Sequence, residues 1–188
     1  VAPRAAALAG APGGTIAVRA LIWSAGAGTG HEQLAKLAGE LVILERLQEI
    51  VGPEGEARLS EPLAKHTTLR VGGPAQFWAE PRTEAALAEV IRLCRRENLP
   101  LLVIGRGSKL LVRDGGIRGV VVHPSGGEFE KIGTAGLEVT AGVGVKLKQI
   151  AYAGKAAGIG GFEWMEGIPG EVGGALRMNA GAMGAQTF

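Results

Sequence analysis

Gly167-Ile168-Pro169-Gly170-Glu171-Val172-Gly173-Gly174-Ala175-Leu176 sets four glycines within ten residues and is followed closely by Met178-Asn179-Ala180-Gly181-Ala182. Glycines at this density leave backbone N–H groups uncovered by Cβ atoms, so a bulky polar or charged group can approach the main chain closely. Pro169 fixes φ beside them and gives the turn one shape. A large ligand with phosphates fits such a segment, although glycine-rich turns are also common as plain loops.

A second motif strengthens the ligand reading. Leu101-Leu102-Val103-Ile104 reads as a buried strand that feeds Gly105-Arg106-Gly107-Ser108-Lys109-Leu110, then Asp114-Gly115-Gly116 and Val120-Val121-Val122. Gly105 and Gly107 can both take positive φ, which would turn successive N–H groups inward as an anion nest, with the Ser108 hydroxyl as a further donor. Diphosphate oxygens are the natural guest. A Walker loop is excluded because no Gly-Lys-Ser/Thr opens a helix, and a dinucleotide fingerprint lacks its third glycine and its later acidic residue. Leu110 to Val112 is expected to resume an extended pattern, and Asp114-Gly115 to turn a hairpin.

Together these motifs resemble the UDP-N-acetylenolpyruvoylglucosamine reductase (MurB) family of bacterial cell-wall synthesis. The resemblance is collinear. It begins with His66-Thr67-Thr68-Leu69-Arg70-Val71-Gly72-Gly73-Pro74-Ala75, continues through the Gly105 loop and Gly115 to Val121, and ends in the Gly167 and Met178 stretches. It covers roughly Leu63 to Phe188. Lys109 stands where the family usually has Asn, and Met183 where Tyr is common.

The resemblance implies an α+β fold of the FAD-binding type shared with vanillyl-alcohol oxidases (PCMH-like), with two small subdomains clasping the cofactor. It implies FAD held by Gly105, Arg106, Gly107, Ser108, Lys109 and Leu110 on one side, and by Gly167, Ile168, Pro169, Gly173, Gly174, Asn179, Ala180 and Gly181 on the other. Asn179 suits the polar edge of a flavin, though an asparagine in a left-handed turn reads identically. The implied reaction passes a hydride from NADPH through FAD to UDP-N-acetylglucosamine enolpyruvate, yielding UDP-N-acetylmuramate. The family's Arg, Ser and Glu for that chemistry lie in motifs such as Tyr-Arg-x-Ser that do not occur in this chain, so no catalytic residue is assigned and the FAD-binding domain is expected to be incomplete after Phe188. A non-catalytic FAD or nucleotide-binding module stays open as the alternative. A covalent flavin oxidase would need His or Cys near the first glycine loop, and neither occurs between Pro100 and Val122.

Composition agrees with a soluble globular piece: 188 residues, 46% hydrophobic and 20% charged, enough for one domain or two small ones. A net charge of +2 and aromatics at 4% give no basic stripe or stacking platform for nucleic acid. No window reaches the roughly eighteen continuous apolar residues of a membrane helix, and Pro and Gly interrupt Val1 to Ala11 before a signal-like run forms. A cytoplasmic protein is expected. Cys94 reads as core with Leu87, Val90 and Ile91, and His31 and His123 have no partners at metal-ligand spacing. His66 reads as a residue that shapes a turn with Thr67 and Thr68 or touches the cofactor.

Residues 1–55 read as an N-terminal extension and 56–188 as the FAD-binding domain. In the extension, Ile16 to Trp23 has strand character, and His31 to Ile50 places Leu34, Leu37, Ala38, Leu41 and Leu44 at helical spacing. The Ala25 to Gly30 turn between them is too loose for a phosphate motif. This piece weakly resembles the C-terminal tail of Mur ligases, which implies fusion to a ligase domain. Further on, Phe77 to Glu80, a helix capped by Thr83 and running through Arg96, and Leu101 to Ile104 form one β-α-β unit. Leu137 to Val143 reads as a strand and Lys146 to Ala157 as a helix.

Overall fold

The computed structural model describes residues 29–187. The readings made at residues 1–11, at the 16–23 strand and at Gly26 and Gly28 lie outside the described residues. The chain divides into two compact units, Val1–Ile43 and Leu44–Phe188. In the first, the described residues are helical and belong to α1 (Thr29–Val51). The helix expected from His31 to Ile50 is therefore present.

The second unit opens its sheet with β1 (Glu56–Pro62) antiparallel to β2 (Pro74–Glu80). Helix α2 (Glu84–Arg96) follows, and the Thr83 side chain accepts a hydrogen bond from the Ala86 N–H at 3.1 Å. That cap satisfies one of the orphan donors at the helix start. Asn98 at φ 51° ends the helical run before Pro100, and β3 (Leu101–Val103) returns to the sheet. Strand β4 (Ile117–Val122) then inserts between β2 and β3, so the order is β1-β2-β4-β3, with β4 parallel to both neighbours.

This topology corrects the hairpin expected at Asp114-Gly115. A tight turn is present, with the Gly116 N–H donating to the Arg113 carbonyl at 2.9 Å. The strands on either side of it run parallel, however, and parallel strands need a crossover rather than a hairpin. Residues 104–116 are that crossover, and Leu110 to Val112 forms no strand. Freed from the sheet ladder, this segment carries the Gly105 loop.

Leu63, Ala75, Trp78, Ile104, Val112 and Val121 pack together as one core. Phe77 and Trp78 are almost wholly buried, and a large side chain removed from water in this way contributes about 1.5–3 kcal/mol. Helix α2 buries Val90, Leu93 and Cys94, and burial pushes the Cys94 thiol pKa up.

A second layer follows. β5 (Ile132–Ala135) and β6 (Glu138–Ala141) form an antiparallel pair turned by Gly136 at φ 58°. Helix α3 (Leu147–Ala156) starts where the Gln149 side chain accepts from the Lys146 N–H at 2.9 Å. It stops at Gly158, φ 70°. Helix α4 (Val172–Met178) and the short pair β7 (Gly181–Ala182) and β8 (Ala185–Gln186) complete it. Val145, Leu147, Ile150 and Ala175 form the core of this layer, with Ile168, Val172 and Ala180 packed against them. The expected α+β class is observed. Among the described residues no helix is long and apolar enough to cross a membrane.

Candidate functional site

The loop after β3 is shaped by what lies beneath it. Gly107 takes φ +61°, and a Cβ there would stand 2.2 Å from the His66 carbonyl oxygen. The Gly107 carbonyl accepts from the Thr68 N–H at 3.3 Å and the Leu110 N–H at 3.5 Å. The His66-Thr67-Thr68 segment is thus the seat of the Gly105 loop. His66 is anchored in turn, stacked on Trp78 with ring centroids 3.9 Å apart and with Nε2 3.0 Å from Glu61 Oε1. Of the two readings left open for His66, these contacts carry the one in which it shapes the turn. Gly105 is not among the residues at positive φ, so the nest expected from two such glycines reduces to a turn at Gly107.

The facing wall is the Gly167 stretch. Both motifs converge on one cleft of about 330 Å³. One side is Gly105, Arg106, Gly107, Ser108, Lys109 and Leu110; the other includes Ile168, Pro169, Gly174 and Ala180. Gly167 lines an adjoining cleft of about 220 Å³ with Arg106, Lys146 and Lys148. Gly173, Asn179 and Gly181 line neither. A Cβ on Gly173 would press on Val143 at 3.2 Å, and one on Gly181 would meet the Ala185 carbonyl at 2.6 Å. Asn179 caps α4 in the left-handed conformation at φ 44°.

The first turn of α4 also differs from the uncovered backbone expected there. The Val172 N–H donates to the Val145 carbonyl at 2.9 Å and the Gly173 N–H to the Val143 carbonyl at 2.8 Å. Those two donors bind protein, not ligand. Gly174 is different, because a Cβ on it would meet nothing within 4 Å and it borders the cleft. Close approach of a ligand to the backbone is available at that point.

Sequence reading missed the cleft's apolar residues Leu102, Val103, Leu147 and Met178, and it missed Glu171. The apolar ones carry no local signal, since they come from separate elements. Glu171 had one: it is the single acid in a run of Gly, Pro and apolar residues. It is buried, at 8% exposure. Burial pushes its pKa up, against the lowering influence of His123 and Arg106.

The cleft therefore offers an apolar wall for a ring system and, at Arg106, Ser108 and Lys109, a polar and cationic rim for anionic oxygens. Few polar groups placed on an apolar concavity is the general form of a cofactor site. FAD carries a flat ring system and a diphosphate, and these residues fit both.

A family model described as an FAD binding domain matches residues 75–188. The chain is 42% identical over 140 residues to UDP-N-acetylenolpyruvoylglucosamine reductase 2 of Symbiobacterium thermophilum, covering 74% of this chain and 45% of that protein. It is 46% identical over 130 residues to the UDP-N-acetylenolpyruvoylglucosamine reductase of Heliobacterium modesticaldum, covering 69% and 41%. The crystal structure of UDP-N-acetylenolpyruvylglucosamine reductase (MurB) from Thermus caldophilus superposes with a TM-score of 0.56 at 36% identity, over 70% of this chain and 44% of that one. The chain spans less than half the length of these relatives.

Proposed function

The chain belongs to the FAD-binding domain family and matches the FAD-binding portion of UDP-N-acetylenolpyruvoylglucosamine reductases, and on that premise we propose that it supplies the flavin site of such a reductase in peptidoglycan synthesis. The observation that carries this reading is the convergence of the Gly105 and Gly167 motifs on one cleft. Arg106, Ser108 and Lys109 hold the diphosphate, and Leu102, Val103 and Met178 pack against rings. Gly174 lets the ligand approach the backbone of α4. FAD held by these residues would supply hydride chemistry, with NADPH as the proposed donor and UDP-N-acetylglucosamine enolpyruvate as the proposed substrate of the whole reductase. This chain's residues bind and orient the cofactor and keep water from its apolar face.

Residues 56–188 act as the FAD-binding domain and 1–55 as an extension of ligase-tail character. Protonation of the substrate falls to groups outside the motifs present here. That division favours one second reading, a module that binds FAD or a nucleotide without catalysis.

The test is the absorbance spectrum of the purified protein after incubation with FAD and desalting. Retained oxidised-flavin bands, with FAD released intact on denaturation, are expected. A colourless protein that also fails to quench flavin fluorescence overturns the proposal. Turnover of NADPH with the enolpyruvyl substrate by a chain carrying the family's Tyr-Arg-x-Ser motif separates the reductase from the module.

A further inference from the structure

A cleft suited to a diphosphate should not hold a fixed negative charge, yet Glu171 borders it. A Cβ on Gly105 would lie 2.9 Å from Glu171 Oε2, so the carboxyl sits directly against the loop assigned to the diphosphate. Ionised and unpaired, it would oppose the anion that Arg106 and Lys109 attract.

Behind it stands His123. Its Nε2 is buried without a hydrogen-bond partner, 4.0 Å from Glu171 Oε2. Its other ring nitrogen, Nδ1, lies 3.4 Å from Glu80 Oε1. Glu80 also accepts from Trp78 Nε1 at 3.2 Å and from Arg82 at 3.4 Å. The hydrogen bond with His123 is the chief influence that lowers the Glu80 pKa, so Glu80 stays ionised and Nδ1 carries the proton facing it. Nε2 is then the nitrogen left without a partner, and Glu171 Oε2 is the acceptor that stands nearest to pairing with it, at 4.0 Å.

We propose that His123 and Glu171 share one proton at the back of the cleft, and that this proton governs how tightly the cleft holds a diphosphate-bearing ligand. With the proton on Glu171 Oε2 the imidazole is neutral; with it on Nε2 the imidazolium faces a carboxylate. Either way the two groups sum to zero. Loss of the proton leaves one negative charge against the Gly105 loop. Closing the gap between the two atoms by about 1 Å brings them to hydrogen-bond distance. The remaining charged groups that act on Glu171 are Arg106, Lys146 and Glu130. On the histidine side they are Glu80 and, through it, Arg82. Buried polar atoms in folded proteins are almost always paired, and a proton shared with Glu171 after that approach would pair Nε2, which is orphaned at 4.0 Å.

The inference rests on the reading of the cleft as an FAD site, and the experiment distinguishes the two. FAD titrations followed by flavin fluorescence between about pH 6 and about pH 9 are expected to show affinity falling by about tenfold as the pair deprotonates, the size expected of one partly screened charge near the diphosphate. Glu171→Gln is expected to remove that slope. In parallel, the ¹³C shift of the Glu171 side-chain carboxyl in the unaltered protein is expected to titrate at higher pH with FAD bound than without it, because an anion bound nearby favours the protonated pair. Tight FAD binding with the same slope in Glu171→Gln, or a Glu171 titration that FAD does not move, overturns the inference alone. Absence of FAD binding at every pH overturns the reading of the cleft, and the inference with it.

Discussion

The carbonyl oxygen of His66 lies 2.2 Å from the place a Cβ on Gly107 would occupy. Any larger residue at 107 must push the loop off its seat, and Gly107 at φ +61° adds backbone strain for an L side chain. Gly107→Ala is expected to weaken FAD binding at least tenfold and to lower thermal stability as well, because lost charge-assisted N–H bonds are worth about 1.5–3 kcal/mol each. Fluorescence titration and a melting curve check both. Unchanged affinity would remove the loop from the cofactor site.

Gly174 makes the opposite prediction. A Cβ there meets no protein atom within 4 Å, and the residue lies in α4. Alanine is favoured over glycine in a helix by about 1 kcal/mol. Gly174→Ala is therefore expected to leave the melting temperature unchanged or raised while weakening FAD binding several-fold, since the methyl enters the cleft. Affinity equal to the unaltered protein's would place the ligand away from α4.

Lys109 borders the cleft and is exposed. If its ammonium faces the diphosphate, Lys109→Ala should weaken FAD binding more at low than at high ionic strength, because an exposed charge pair is screened within about 10 Å at 0.1 M salt. A loss of equal size at both ionic strengths would show that the side chain acts by packing rather than by charge.

The contrast among these positions shows which parts of the site a sequence can carry. Thr83 before a helix, Pro100 before a strand and the 3.6-residue rhythm of α2 are local signals, and the elements appear where those signals put them. β4 is different. Its Val-rich run was legible as apolar, but its place between β2 and β3 depends on pairings far apart in the chain, so Asp114-Gly115 imitated a hairpin. β5 was missed because Ile132-Gly133-Thr134-Ala135 has too few strand-forming side chains to mark a strand without its partner β6. In the site, Gly107 and Gly174 look alike in sequence, yet one is glycine because of protein beneath it and the other borders open space. Asn179 shows the same ambiguity: its left-handed φ is what a cap requires.

Glu61 gives a pH prediction. It is buried at 5% exposure. Burial pushes its pKa up, but hydrogen bonds from His66 and Arg58 outweigh that and hold it below the ordinary value of 4.5. A carboxyl whose pKa falls on folding stabilises the fold above its unfolded pKa, and that stability is lost as pH drops through the lower folded value. Denaturant melts are expected to weaken on acidification below about pH 4.5, and Glu61→Gln is expected to flatten that limb while costing about 1–3 kcal/mol at neutral pH. An unaltered acid limb in the variant would assign it to other carboxylates.

Turnover is the final expectation. Delivering hydride to an enolpyruvyl double bond leaves an anion that must be stabilised and protonated, and removal of one such group costs about 10²–10³ in rate. On the roles proposed above, none of the cleft's polar residues fills that role. In the site as proposed, Ser108 and Arg106 face the diphosphate, and outside the cleft the Ser125 hydroxyl accepts from Arg82 at 3.2 Å. Glu171 lies with Oε2 4.0 Å from His123 Nε2, and the proton-sharing proposed above would engage it there. With FAD bound, residues 1–188 are expected to oxidise NADPH no faster in the presence of UDP-N-acetylglucosamine enolpyruvate than in its absence, with no UDP-N-acetylmuramate detected by mass spectrometry. Substrate-dependent product at a rate near that of a chain carrying the Tyr-Arg-x-Ser motif would mean that a proton donor lies within these residues, and Ser108 would be the first to replace.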